Sequence, residues 1–219
     1  MWLRYFLCIP KSIYFNFRKL PLRQAVMLPI LIYRTKLRHI SGDIVIDSDK
    51  MKIGLVKIGF GETQTTDIHR ERTIIDIRGK VVFRGGCKFG TGSRISVDED
   101  ASAEFGSNFN ATAQLKLICK KSMTFGKDNL LSWNCLLMDS DQHHVFDKEN
   151  GEKINDDRPI KIGDNVWIGC DTTILKGTEI ADNVIVGSGS VVAGKHNDSF
   201  VAIAGNPAKI VKRNITWTE

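Results

Sequence analysis

IGDNVWIGCDTTILKGTEIADNVIVGSGSVV, residues Ile162 to Val192, repeats with a period of six. Ile162, Ile168, Ile174, Ile180, Val186 and Val192 open successive hexads. Gly163, Gly169, Ala181 and Gly187 stand second, with Leu175 the exception. Val166, Thr172, Thr178, Val184 and Ser190 stand fifth. Neither a helix, with period 3.6, nor a half-buried strand, with period 2, produces this spacing. A hexapeptide period marks a parallel β-helix. A β-branched residue then points inward at the same place on every turn, and a small neighbour lets the chain bend at a corner.

Working outward, the phase returns imperfectly at Phe83, Phe89 and Ile95, and again at Phe125, Leu131 and Leu137. Phenylalanine at the inward position predicts wider, less regular coils there. Ile44 to Ile46, Ile53 to Ile58 and Ile74 to Ile77 read as strands, with frequent glycines at the bends. The pattern stops at Met138 and resumes at Ile160. The interruption, residues 139–159, is polar and carries the adjacent His143 and His144. A solenoid does not need such a loop, so a function is expected of it. After Val192, Gly205-Asn206-Pro207 reads as a turn before the basic stretch Ala208 to Arg213.

Residues 1–41 stand apart from the domain at 42–213 and the tail at 214–219. The formal net charge is +6, yet residues 1–42 hold eight Lys or Arg and no Asp or Glu, which leaves the rest of the chain at −2. Pro10, Pro21 and Pro29 divide the segment into short pieces, with a helix expected over Leu22 to Leu37, bent at Pro29. No apolar run is long enough to span a bilayer. Leu3 to Pro10 is too short for a signal-peptide core, and no small-residue cleavage site follows it. Two readings compete for residues 1–40. One is an amphipathic segment on an anionic membrane surface. The other, which we prefer from sequence, is a helical arm covering an end or flank of the β-helix. Five scattered cysteines without a CxxC pair argue against a disulfide framework or zinc knuckle and fit a reducing compartment, the cytoplasm. No basic groove with interleaved aromatics points to nucleic acid.

IGDNVWIG (Ile162 to Gly169), VGSGSVV (Val186 to Val192), AGNPAKIV (Ala204 to Val211) and DSDQHH (Asp139 to His144) resemble the hexapeptide-repeat acyltransferases. Within that superfamily the chain is most similar to sugar O-acetyltransferases of the galactoside and maltose type, and to those that acetylate capsular or O-antigen polysaccharide. The resemblance covers roughly residues 80–213. It implies an all-β, left-handed parallel β-helix, although crossovers between parallel strands are ordinarily right-handed. It also implies acetyl transfer from acetyl-CoA to a sugar hydroxyl in polysaccharide biosynthesis, without a metal, by a homotrimer with sites between protomers.

A sugar hydroxyl needs a positioned general base, and histidine is the natural choice. In similar enzymes the catalytic histidine lies sixteen residues before a proline that opens the next hexads. His143 has that spacing to Pro159, and His144 is one short. His143 is therefore the expected base, with Asp139 and Asp141 as candidates to orient it or to bind the sugar. The resemblance places Trp167 along the pantetheine arm or the substrate side of the groove, counts Gly169 as cofactor-binding, gives Ser188 a backbone contact to pantetheine, and sets Lys209, Lys212 and Arg213 at the CoA phosphates. Lysines beside a polyphosphate are also a direct electrostatic match. The family's cross-subunit asparagine has no clear counterpart, Thr112 and Asn110 both standing near that place. Oxyanion donors are expected from backbone N–H groups at the corners. Rival readings are an N-acetyltransferase of a nucleotide-linked amino sugar, a metal enzyme like γ-class carbonic anhydrase, and a non-catalytic scaffold. The metal enzyme would need three converging histidines, which His39 and His69 do not readily supply.

Overall fold

A computed structural model describes residues 2–218. Met1 and Glu219, the outer ends of the arm and the tail, lie outside the described residues, as do the side chains of Trp2 and Leu3. Three sheets of nine, seven and seven strands wrap the chain into a parallel β-helix, each strand passing to the next sheet in turn. The hexad accounts for this directly. Ile162 pairs with Ile180 on the third sheet, Ile168 with Val186 on the first, and Ile174 with Val192 on the second. One coil is thus three hexads, and all six hexad-opening side chains are buried. The fifth-position residues are buried too. The Thr178 and Ser190 hydroxyls donate to the Leu175 and Gly187 carbonyls, both at 2.6 Å, so that neither of these two donors is stranded inside.

Corners are turned at the fourth position of the hexad. Asn165, Asp171 and Asn183 are left-handed there (φ 52, 58 and 58°), as are Gly177 and Gly189. Asn, Asp and Gly tolerate that conformation best. Adjacent coils also come very close at the corners. A Cβ on Gly163 would stand 2.3 Å from Asp182 Oδ1, so a larger side chain would force the coils apart.

The earlier coils are wider, as the phenylalanines suggested. Phe89 pairs with Ala111, 22 residues on, against 18 from Ile162 to Ile180. Phe83, Phe105 and Phe125 stack along the third sheet with centroids 5.7 and 5.2 Å apart. Phe89 and Phe109 meet Phe105 edge-on at 5.0 and 4.8 Å. These rings fill the extra width with apolar area and favourable geometry. The pairing that closes the far end is antiparallel, Val201–Gly205 against Ala208–Arg213.

The N-terminal segment corrects two expectations. A single helix, α1 (Trp2–Lys19), runs through Pro10 instead of breaking there. Pro10 is exposed, so the carbonyl it leaves unpaired faces water. The helix expected over Leu22 to Leu37 is only α2 (Leu22–Ala25). Leu28 turns left-handed (φ 45°) before Pro29, a position that disfavours helix. Ile30–Ile32 and Thr35–His39 are then strands, pairing with Val56–Ile58 and Thr73–Ile77. Coil pairing therefore starts inside the segment that composition sets apart.

The inner face of α1 closes the open edge of strand Ile30–Ile32. Asn16 Nδ2 donates to the Ile30 carbonyl at 2.7 Å, Ile30 N–H donates to Asn16 Oδ1 at 3.1 Å, and Ile32 N–H to Ser12 Oγ at 2.9 Å. Both polar side chains are buried. They satisfy backbone groups that would otherwise offer a template for another strand.

Candidate active site

The polar insertion leaves the second sheet at Met138 and enters the third at Ile160. Regular coils turn this corner briefly, as Lys120 and Lys121 do between Lys116–Cys119 and Ser122–Phe125. The insertion folds back on itself, with Phe146 bridged to Lys153. Asn155 holds it together. Its Oδ1 accepts Val145 N–H at 2.7 Å, and its Nδ2 donates to the His143 carbonyl at 2.8 Å and to Asp141 Oδ2 at 2.9 Å. The backbone at His143 is thereby positioned, while the residue is exposed. His144 meets Phe146 edge-on at 6.2 Å.

The two expected aspartates are engaged elsewhere. Asp139 is fully buried and accepts Lys120 N–H at 2.7 Å and Lys121 N–H at 2.9 Å, clamping the corner of the preceding coil. Burial pushes its carboxyl up, and those two backbone donors pull it back. Asp141 accepts the Lys176 ammonium at 2.5 Å, which ties the insertion to the following coil. That bond, with Asn155, holds the Asp141 carboxyl below its usual range. No described residue hydrogen-bonds the His143 ring, so within one chain neither aspartate orients it.

The remaining candidates lie on the first sheet and the corner after it. Asn110, Leu130, Trp167, Ile185 and Ala202 form one outward row in register. Trp167 donates its indole N–H to Ser132 Oγ at 3.2 Å and stays 37% exposed. Thr112, at the end of that sheet's strand, spends its hydroxyl on the Leu131 carbonyl. At the corner, a Cβ on Gly169 would lie 2.6 Å from Ser188 N, so glycine is what lets Ser188 sit there, exposed. Lys209 and Lys212 project from the closing hairpin without an ion-pair partner among the described residues, whereas Arg213 binds Asp198 at 2.8 Å.

Two features escaped the sequence reading. Trp217, in the tail, donates to the Asn165 carbonyl at 2.9 Å and lays its ring 6.1 Å from Trp167. Its isolation after the last repeat offered no signal. The second is a groove of about 520 Å³ over the second sheet, lined by Arg70, Glu71, Arg94, Gln114 and Lys116 among others. Ile74, Arg94 and Lys116 are in register on three successive coils, a row visible only once coil lengths are known. Among the described residues no cluster of three His, Cys, Asp or Glu side chains is placed to hold a metal ion.

Residues 159–194 match the family described as bacterial transferase hexapeptide (six repeats). That stretch is a run of hexapeptide repeats. The fold is a left-handed parallel β-helix with an N-terminal helical arm and a short tail. A polysialic acid O-acetyltransferase of Escherichia coli O1:K1 is 32% identical over 141 residues, 64% of this chain and 41% of that protein. A polysialic acid O-acetyltransferase of Neisseria meningitidis is 43% identical over 98 residues, 45% of this chain and 46% of that protein. The crystal structure of the polySia-specific acetyltransferase NeuO superposes with a TM-score of 0.55 at 25% identity, covering 85% of this hexapeptide-repeat chain and 89% of that one. The chain spans about half the length, or less, of these two curated relatives.

Proposed function

We propose that the protein transfers an acetyl group from acetyl-CoA to a hydroxyl of a cell-surface glycan, with His143 as general base. The observation that carries this reading is the insertion itself. Residues 139–159 interrupt the regular coils as the longest polar loop of the described solenoid, and Asn155 pins the backbone at His143 while no described residue hydrogen-bonds its ring. The named relatives support the class of reaction.

His143 takes the proton of the acceptor hydroxyl as its oxygen attacks the thioester carbonyl carbon. Backbone N–H groups at the coil corners are the natural donors to the resulting oxyanion. Collapse breaks the carbon–sulfur bond, and the imidazolium returns its proton to the departing thiolate. Trp167, Gly169 and Ser188 line the pantetheine, and Lys209, Lys212 and Arg213 answer the phosphates.

His143 and Trp167 belong to different sides of the prism, and among the described residues no hydrogen bond, ion pair or ring contact joins residues 139–159 to Trp167, Ser188 or 209–213. A complete site therefore needs two copies, and a homotrimer with three interfacial sites supplies them. Across such an interface Asn110, which shares the outward row with Trp167, is a better counterpart of the family's asparagine than Thr112.

Arg70, Arg72, Arg94 and Lys116 line that groove against the single carboxylate of Glu71, and this excess of positive charge favours an acidic glycan over a neutral one. The test is thiol release from acetyl-CoA with polysialic acid and with neutral galactosides, alongside the mass in solution. Turnover with the acidic polymer, a raised KM for it alone in Arg94→Glu, and a mass three times the 24.6 kDa chain are expected. A monomer that turns over at full rate would overturn the interfacial site.

A further inference from the structure

Helical spacing sorts α1 into two faces. Cys8, Ser12, Phe15 and Asn16 point into the protein and are buried. Phe6, Leu7, Ile13, Tyr14 and Phe17 point away from the coils, with Phe6 73% and Tyr14 56% exposed. Leu22, Val26 and Met27 extend this apolar surface past the end of the helix. A monomeric soluble protein rarely leaves so much contiguous apolar surface in water.

The stripe has a charged border on one side. Arg4, Lys11 and Arg18 follow each other at seven-residue spacing, which places them in one line along the helix. Arg4 is held by Glu62 at 2.6 Å and Lys11 by the Thr35 carbonyl at 2.8 Å, so two of the three are anchored to the coils. Next to them opens a groove of about 540 Å³, lined by Pro10, Lys11, Tyr14, Lys36, Leu37 and Arg72. Lys36 and Arg72 have no ion-pair partner among the described residues. The groove therefore offers three cations beside an aromatic ring at the edge of an apolar stripe.

We propose that α1 lies in the plane of an anionic lipid surface, with its apolar stripe in the acyl region and Lys36 and Arg72 meeting headgroup phosphates in the adjoining groove. A helix with one apolar face bordered by Lys and Arg binds membranes in this orientation. Among the described residues no helix is long and apolar enough to cross a bilayer, which agrees with an in-plane position. A second copy suits the stripe less well. Residues 1–42 contain no acidic residue to answer the eight cations, so a symmetric contact would set like charge against like. The two readings open from sequence thus divide between two faces of one helix, the inner closing the coil edge and the outer meeting lipid.

The experiment is flotation of the full chain with vesicles of phosphatidylcholine containing phosphatidylglycerol, and with phosphatidylcholine alone. The protein should float with the anionic vesicles only and be released by salt. Phe17→Glu, on the outward face, should lower the bound fraction at least tenfold with an unchanged far-UV spectrum. Lys36→Ala should lower it about fivefold, the share of one surface cation. Equal binding to neutral vesicles, or binding indifferent to Phe17→Glu, would overturn the proposal. So would a solution mass that Phe17→Glu halves, which would assign the stripe to a second copy.

Discussion

The corner between the second and third sheets is built in two ways within consecutive coils. Lys120 and Lys121 turn it in two residues, and residues 139–159 take twenty-one to make the same passage. The short corner is held by a buried carboxylate, that of Asp139, which belongs to the long one. The long corner is held at its base by Asp141 and Lys176, and across its middle by Asn155. Strand geometry is the same on both sides, since Leu117 pairs with Leu137 and Phe125 with Ile162. The solenoid therefore gains nothing in regularity from the insertion. The short corner is specified by packing, whereas the long one is free to be specified by chemistry.

If that division holds, His143→Ala should separate activity from stability more than any other change. We expect kcat for acetyl transfer to fall by about 10²–10⁴-fold, the range of general-base contributions, with Tm unchanged. His144→Ala should lose much less. Steady-state kinetics with both variants checks this, and a reversed order would show that the loop presents the other ring. The converse change lies directly beneath the loop. Leu137→Ala removes a fully buried side chain and should cost about 2–5 kcal/mol, read from denaturant unfolding. Acetyl-CoA turnover by the remaining folded protein should stay near that of the parent. A Leu137→Ala protein that unfolds like the parent would mean the coils tolerate voids as the loop does.

Asp139 sits on the boundary between the two kinds of corner. Asp139→Ala leaves the Lys120 and Lys121 amides without acceptors inside the protein, at about 1–3 kcal/mol. Because the carboxylate binds the preceding corner and not the His143 ring, kcat in the folded protein should change far less than in His143→Ala. A kcat loss matching that of His143→Ala, with unfolding unchanged, would restore Asp139 to a direct role.

Much of this division was legible in the sequence. From Ile162 to Val192 every coil is three hexads, so inward residues, corners and the point of interruption can all be counted. The fourth-position run Asn165, Asp171, Gly177, Asn183 and Gly189 would have located the corners as well. Before Phe125 the coils vary in length, from Phe89 to Ala111 and from Ile58 to Phe89, and a fixed period cannot follow them. The arm failed for a different reason. Pro10 looks like a break in sequence because its exposure is not visible there, and Ile30 to Leu37 look like the continuation of a helix because nothing local reveals a pairing partner at Val56 or Thr73. At the site, the insertion that carries His143 and His144 could be picked out from the break in period. The engagements of Asp139 and Asp141 could not, since they depend on which coil lies above and which below.

The smallest effect expected is at the Asp141–Lys176 tether, and it sharpens the comparison because it ties the long corner to the coil that follows. The Asp141 carboxyl is held below its usual range by Lys176. A carboxylate depressed in the folded state stabilises above its unfolded pKa, about 3.9, and that contribution is lost as pH falls through the lower folded value. The tether is therefore intact at neutral pH and loosens in acid below about pH 4. The Asp141 side chain is 43% exposed, so water screens the pair, and the effect is local and does not extend to global unfolding. Hydrogen exchange reads it at the Val145 amide, which depends on Asn155, itself bonded to Asp141. In the parent protein, protection there, corrected for intrinsic rate, should fall between neutral pH and pH 3, while the buried Lys120 and Lys121 amides stay protected. Lys176→Met should show the loosened state already at pH 7 and change little on acidification. Equal protection of Val145 in the two proteins at pH 7 would show that Asn155 alone holds the loop, and that the long corner needs no charge to keep the His143 backbone in place.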